Sequence, residues 1–249
     1  KGWVMPFYQP VVFASGRELC GVEALARWID PKRGFLSPGQ FIPCLENTRL
    51  IHKLDTCIFE RVCQDIRDRL NRGLPVVPVS INLSRLDFEL MDAVSGLDGI
   101  VSQYQIPKDL LHVEITESAL SDDVSFLSKA VSELKERGYA LWLDDFGSGY
   151  SSLNVLKDYD FDVLKLDMKF LVGFEKNEKA KPLIKACIDM ANQMGLKTLC
   201  EGVETEAQAD FLEASGCLRL QGFLYGKPMR KEELSAKIDS QEFKVRIEE

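Results

Sequence analysis

The chain has 249 residues, 45% apolar and 28% charged, enough to bury one large core without disulfides or metal. Its net charge of −8 and pI ≈ 5.0, with no basic run, exclude a protein that grips long nucleic acid by its backbone. No apolar stretch is long enough to span a bilayer and no signal peptide opens the chain, so the expectation is a cytoplasmic domain without membrane contact of its own.

Short apolar runs alternate with amphipathic ones along the chain. Pro6–Phe13 and Leu19–Trp28 read as strands. Leu50–Leu70 follows, with Ile51, Leu54, Ile58, Val62, Ile66 and Leu70 at a helical period. Val76–Leu83 is the next strand, and Ser84–Gly99 reads as an irregular loop with a short helix. Strand Leu110–Ile115, helix Ser125–Arg137, strand Ala140–Leu143 and strand Val163–Leu166 come next. Gly173–Lys181 reads as an exposed loop. Helix Pro182–Met194, strand Lys197–Cys200, helix Glu204–Ala214 and strand Leu218–Phe223 complete the series. Gly138 and Gly195 stand where left-handed C-caps belong. Runs this apolar suit a parallel sheet buried on both faces. Eight strands in about 250 residues suit a (β/α)₈ barrel, with a doubly wound open sheet as the alternative.

Seven cysteines at irregular spacings form no CxxC pair, so free thiols in a reducing compartment are expected. The chain starts at Lys1 and not at Met, which suggests a single domain, residues 1–249, excised from a larger protein. That parent can carry regulatory parts and a membrane anchor.

The informative pattern is where polar residues fall. Glu23, Asn82, Glu114, Asp144 with Asp145, Lys165 with Asp167, Glu201 with Glu204, and Gln221 occupy seven of the apolar strands, mostly at their C-terminal ends. In a barrel those ends meet at one mouth. Any one acid alone is more simply a solvated or ion-paired residue; seven in register are not. Carboxylates crowded together raise one another's pKa unless cations lie between them. Oxygen donors without His or Cys point to magnesium or manganese. The adjacent Asp144 and Asp145 suit two metals, the usual clamp for displacement at phosphorus. Glu23, Leu25 and Arg27 share one strand face, which pairs a metal ligand with a phosphate-binding guanidinium. His52 and His112 read as structural or exposed. There is no P-loop, nucleophile elbow or GxGxxG.

These residues resemble the EAL-domain cyclic di-GMP phosphodiesterases. The tripeptide Glu23-Ala24-Leu25 carries the name, and DDFGSGYSSL (Asp144–Leu153) and EGVETEAQ (Glu201–Gln208) are far more specific. FYQPVV, SPGQFIP, INLS, EITES, LKLD and QGFLYGKP match in the same order. The resemblance implies a (β/α)₈ TIM-type barrel with a modified, antiparallel first strand. It implies two Mg²⁺ or Mn²⁺ ions and hydrolysis of cyclic di-GMP to linear pGpG. By residue, Glu23, Asn82, Glu114 and Asp144 match ligands of the first metal, and Asp145 joins Asp144 at the second. Lys165 matches the group that holds the attacking water, and Glu201 matches an acid that serves as general base or as a metal ligand through water. Gln9, Leu25, Arg27, Glu204 and Gln221 match substrate-binding positions. Glu117 and Ser148 match the anchor of the loop after the Asp pair. A homodimer is the implied assembly. Cys200 and Leu218 depart from the family's common residues, and neither matches a ligand. Because some members only bind the nucleotide, a silent receptor module is the alternative function. A protein-interaction scaffold and a different metal-dependent phosphoesterase are the other two.

Overall fold

A computed structural model gives the fold and describes residues 2–120, 125–147 and 152–246. The elements follow the chain as β1 (Val4–Phe13), β2 (Leu19–Asp30), β3 (Gly34–Leu36), α1 (Pro38–Asn47), α2 (Ile51–Asn71) and β4 (Val79–Leu83). Next come α3 (Arg85–Leu90), α4 (Ala93–Tyr104), β5 (Leu111–Thr116), α5 (Glu117–Leu120), α6 (Ser125–Glu136), β6 (Ala140–Phe146) and α7 (Ser152–Asp158). Then β7 (Val163–Leu166), α8 (Ala180–Gln193), β8 (Lys197–Cys200), α9 (Glu206–Ala214), β9 (Arg219–Gln221) and α10 (Lys231–Asp239) complete the order.

The strands join in the order β1-β9-β8-β7-β6-β5-β4-β2, and β1 pairs with β2 to close the ring. Strands β2 and β4 to β9 run parallel, whereas β1 runs antiparallel to both of its neighbours. This is the eight-stranded TIM-type barrel with a reversed first strand, and it excludes the open sheet. Strand β3 only extends β2 as a hairpin outside the ring. Hydrophobic burial sets the layers: on α2, Ile51, Leu54, Ile58, Val62 and Ile66 are all buried against the sheet, as their spacing predicts.

Several boundaries differ from expectation for local reasons. Strand β4 starts at Val79 because Pro78 lacks an N–H and serves only as an acceptor, from Val22 N–H at 2.9 Å. The segment after β4 is two helices and not an irregular loop. Ser84 and Asp87 form a capping box for α3, and Asp92 caps α4 by accepting from Ser95 N–H at 3.0 Å. Ser37 with Gln40 does the same for α1, with Pro38 opening it. Gly138 and Gly195 do take left-handed φ values, 87° and 77°. All seven cysteines are free.

Inside the ring, side chains alternate with period two and stack in layers. Val11, Phe13, Cys20, Trp142, Val163 and Leu199 form one buried apolar cluster. His112 stacks on Trp142 with ring centroids 4.8 Å apart, and the Arg219 guanidinium lies 5.3 Å from the same ring. His112 is therefore a packing residue of the barrel interior. Among the described residues, no helix is long and apolar enough to cross a membrane.

Candidate active site

Moving two residues along each strand from that apolar layer leads to a polar one. Trp142 gives way to Asp144, Val163 to Lys165, Leu199 to Glu201, His112 to Glu114, Arg219 to Gln221 and Ser80 to Asn82. Strand β1 runs the other way, and Val11 gives way to Gln9, the register partner of Glu23. Each of the eight barrel strands thus supplies one polar side chain to the mouth.

Lys165 is the centre of this layer. It is fully buried, and its Nζ lies 2.5 Å from Glu114 Oε2, 2.7 Å from Glu201 Oε1, 2.9 Å from Asp144 Oδ1 and 3.7 Å from Glu23 Oε2. Burial alone would lower its pKa, but Asp144, Glu114, Glu201 and Glu23 outweigh burial and hold it well above the ordinary value. One ammonium cannot balance the acids. Burial, then Glu23, pushes Glu114 well above the usual carboxyl range. Burial, then Asp144 and Glu23, lifts Glu201 to about 8 against the pull of Lys165. Asp145 is raised by burial and then by Asp144.

In a regular strand Asp144 and Asp145 would face opposite sides. Here the β6–β7 register slips between Leu143 and Phe146, and Asp145 takes a left-handed φ of 56°. That bulge turns both carboxyl groups to the mouth. Oxygens of Asp144, Asp145 and Glu201 lie within 4.8 Å of one another. After the pair, Gly147 has φ 89° and rests on Phe170; a Cβ there would lie 2.4 Å from the ring, so only glycine fits. Its N–H donates to Glu117 Oε2 at 3.1 Å, and Glu117 is buried. Ser148 lies outside the described residues.

The remaining predicted residues sit around this layer. Asn82 Nδ2 donates to Glu23 Oε1 at 3.0 Å, and Gln221 Nε2 donates to Glu23 Oε2 at 2.7 Å. Asn82 therefore turns its amino group, not its carbonyl, toward Glu23. Two lobes flank the acids. A larger cavity of ≈ 610 Å³ is lined by Leu25, Arg27, Glu46, Asp55, Asn82 and Asp144 among others. A smaller one of ≈ 240 Å³ is lined by Gln9, Glu201, Glu204, Gln221 and Phe223, and both share Glu23, Leu25 and Asp144. Gln9 Nε2 donates to Gly226 O at 3.3 Å, and Glu204 is exposed at the rim. Arg27 lies 6.0 Å from the Phe7 ring, and its donor Nη1 reaches Ala26 O at 2.9 Å. Asp167 is turned away from the lysine: it accepts from Lys169 N–H at 2.8 Å and pairs with Lys169 Nζ at 3.1 Å.

The residues fit divalent cations. Glu114 Oε1 is buried with no hydrogen-bond partner among the described residues, an arrangement that a cation relieves. The donors are carboxylate and amide oxygens, the set that magnesium and manganese prefer.

The fold and mouth define an acid-lined TIM-type barrel. The EAL domain family model matches residues 1–228, and the chain belongs to that family. It is 36% identical over 231 residues to the bifunctional diguanylate cyclase/cyclic di-GMP phosphodiesterase MucR of Pseudomonas aeruginosa, covering 93% of this chain and 34% of that protein. It is 35% identical to the signaling protein YkoW of Bacillus subtilis over 91% of this chain and 28% of the other. The chain thus spans about a third of the length of these curated relatives. Among solved structures, the cAMP- and cyclic-di-GMP-bound EAL enzyme Bd1971 superposes with TM-score 0.89 at 29% identity, over 95% of this chain and 65% of that one. A complex of the PaMucR phosphodiesterase with c-di-GMP gives 0.87 at 35% identity, over 93% and 94%.

Proposed function

We propose that this domain hydrolyses cyclic di-GMP to linear pGpG with the help of two magnesium or manganese ions. The observation that carries the reading is the buried Lys165 ammonium held by four carboxyl groups beside the paired acids Asp144 and Asp145. The naming of MucR as a cyclic di-GMP phosphodiesterase and the cyclic di-GMP in the PaMucR complex support the choice of substrate.

Glu23, Asn82, Glu114 and Asp144 would hold one cation, and Asp144 with Asp145 the other. When bound, such cations offset phosphate charge and ease deprotonation of water. Asn82 presents its carbonyl by rotating its amide. The chain's own groups do the rest. Arg27 offers two parallel donors to the two non-bridging phosphate oxygens. Lys165, fixed by its acids, donates to the incoming water and sets its line of approach. Glu201 accepts the water's proton, its carboxylate held 2.7 Å from Lys165 Nζ. The water oxygen bonds to phosphorus as the P–O3′ bond breaks; O3′ takes up a proton from solvent, which leaves a 3′ hydroxyl and a 5′ phosphate. Leu25, at the junction of the lobes, holds the two halves of the dinucleotide apart, and Gln9, Glu204 and Gln221 line the smaller side. Glu117 ties down the loop after the acid pair, with Ser148 as its second anchor.

The test is chromatography of cyclic di-GMP incubated with the purified chain in magnesium, in manganese and in chelator. Metal-dependent pGpG is expected. Bound but uncut nucleotide would make the domain a receptor instead. The same reading places the domain in the cytoplasm, within a longer regulated protein that assembles as a homodimer, which sedimentation of the full-length protein checks.

A further inference from the structure

Two acids outside the catalytic layer interact beside the larger lobe: Asp55 lines it, and Asp87 is buried out of its lining. Asp87 of α3 is fully buried. Its Oδ2 accepts from Ser84 N–H at 2.6 Å and from Ser84 O–H at 2.8 Å. Its Oδ1 is buried too, with no donor among the described residues. The group that interacts with it most strongly after burial and Ser84 is another carboxyl, that of Asp55 on α2, which lines the lobe. Two carboxylates have four acceptor oxygens and no hydrogen between them, so they repel; one proton converts the contact into a bond.

The surroundings favour keeping that proton. Burial, then Asp87 and Glu46 of α1, raises Asp55 to about 9. Burial raises Asp87 as well, against its bonds from Ser84 and the pull of His52. His52 stands one turn before Asp55 on α2, and its Nδ1 has no partner among the described residues. The Arg85 guanidinium at the head of α3 bonds Glu89 at 2.9 Å.

We propose that Asp55 and Asp87 hold one proton between them at neutral pH, so that two carboxyl groups give the wall of the larger lobe a single negative charge. Asp87 is then a positioning residue: it fixes the charge and the hydrogen-bond direction of Asp55. The lobe already carries Glu46, Asp144 and Asp145, and a second charge on this wall would repel an anionic ligand. That benefit rests on the proposed function; the shared proton does not.

The linkage has a definite sign. A carboxyl raised by folding stabilises the fold below its unfolded pKa, and the stabilisation is lost as pH rises through the folded value. In Asp87→Asn the amide keeps the bonds from Ser84 and donates an N–H to Asp55, so the proton is no longer needed. Wild-type Tm is therefore expected to fall faster than that of Asp87→Asn between pH 6.5 and 9, the gap changing by roughly 3–5 °C per pH unit for one linked proton. Carbon-13 NMR of the aspartate carboxyls is expected to show a wild-type resonance still protonated at pH 7, titrating above pH 8 and missing in Asp87→Asn. Parallel Tm profiles, or a spectrum of the pair fully ionised at pH 7, overturn the proposal. Should Asp87→Asn not fold, the wild-type NMR titration decides alone.

Discussion

The barrel interior holds two adjacent layers one pleat apart, built from the same strands and opposite in character. Below, Trp142, Val163, Leu199, Val11 and Phe13 are packed apolar groups. Above, Asp144, Lys165, Glu201 and Gln9 stand two residues further along the same strands. The lower layer is stable as it is. The upper one confines at least four carboxyl groups around one ammonium and leaves a buried Glu114 oxygen without a donor. The lower layer lends rigidity, and the upper spends it on holding like charges together until a ligand relieves them.

Substitutions at one strand can separate the two roles. Asp144→Asn is expected to lower kcat by about a thousandfold or more, the scale of several kcal/mol of charge stabilisation. The same change removes a like charge, so the metal-free Tm is expected to hold or rise; a clear fall would break the comparison. Trp142→Ala, two residues below, is expected to cost ~3–5 kcal/mol of stability by denaturant titration. Activity per folded molecule should stay within a few-fold. The upper layer should also respond to pH and metal. Without divalent cation, Glu201 and Glu114 bind protons that the unfolded chain releases near pH 4–5, so Tm is expected to fall as pH rises toward 8. Magnesium should raise Tm more at pH 8 than at pH 6, and Glu201→Gln should flatten the metal-free profile. The smallest effect belongs to the support of the loop. Glu117→Ala leaves the Gly147 N–H without its acceptor, costing about 1–3 kcal/mol locally, and should slow turnover about tenfold.

Much of this was legible before the structure. Runs such as VLKL and KTLC are too short and too apolar for anything but buried parallel strands, and acids at their ends have one place to meet. Other features were harder to read. Side-chain alternation puts Asp144 and Asp145 on opposite faces, and only a bulge with a left-handed residue brings them together. Asp167 shares a strand face with Lys165, but the chain turns after Leu166 and takes it to Lys169. Asp55 is not among the polar residues that end the apolar strands. The signal was there: it falls on the stripe of Ile51, Ile58 and Val62, where an acid must find a buried partner. Helix α10 gave no periodic cue because few of its residues are buried.

The Gln221–Glu23 hydrogen bond joins residues 198 positions apart, across the seam where β1 meets β9. Contacts of such long sequence separation form slowly, after the loop entropy of nearly the whole chain has been overcome. A chain emerging from the ribosome holds Glu23 early but cannot seat it until β9 has been made. The mouth is therefore completed last, and a truncated or half-folded copy lacks the ring of groups that the finished barrel assembles.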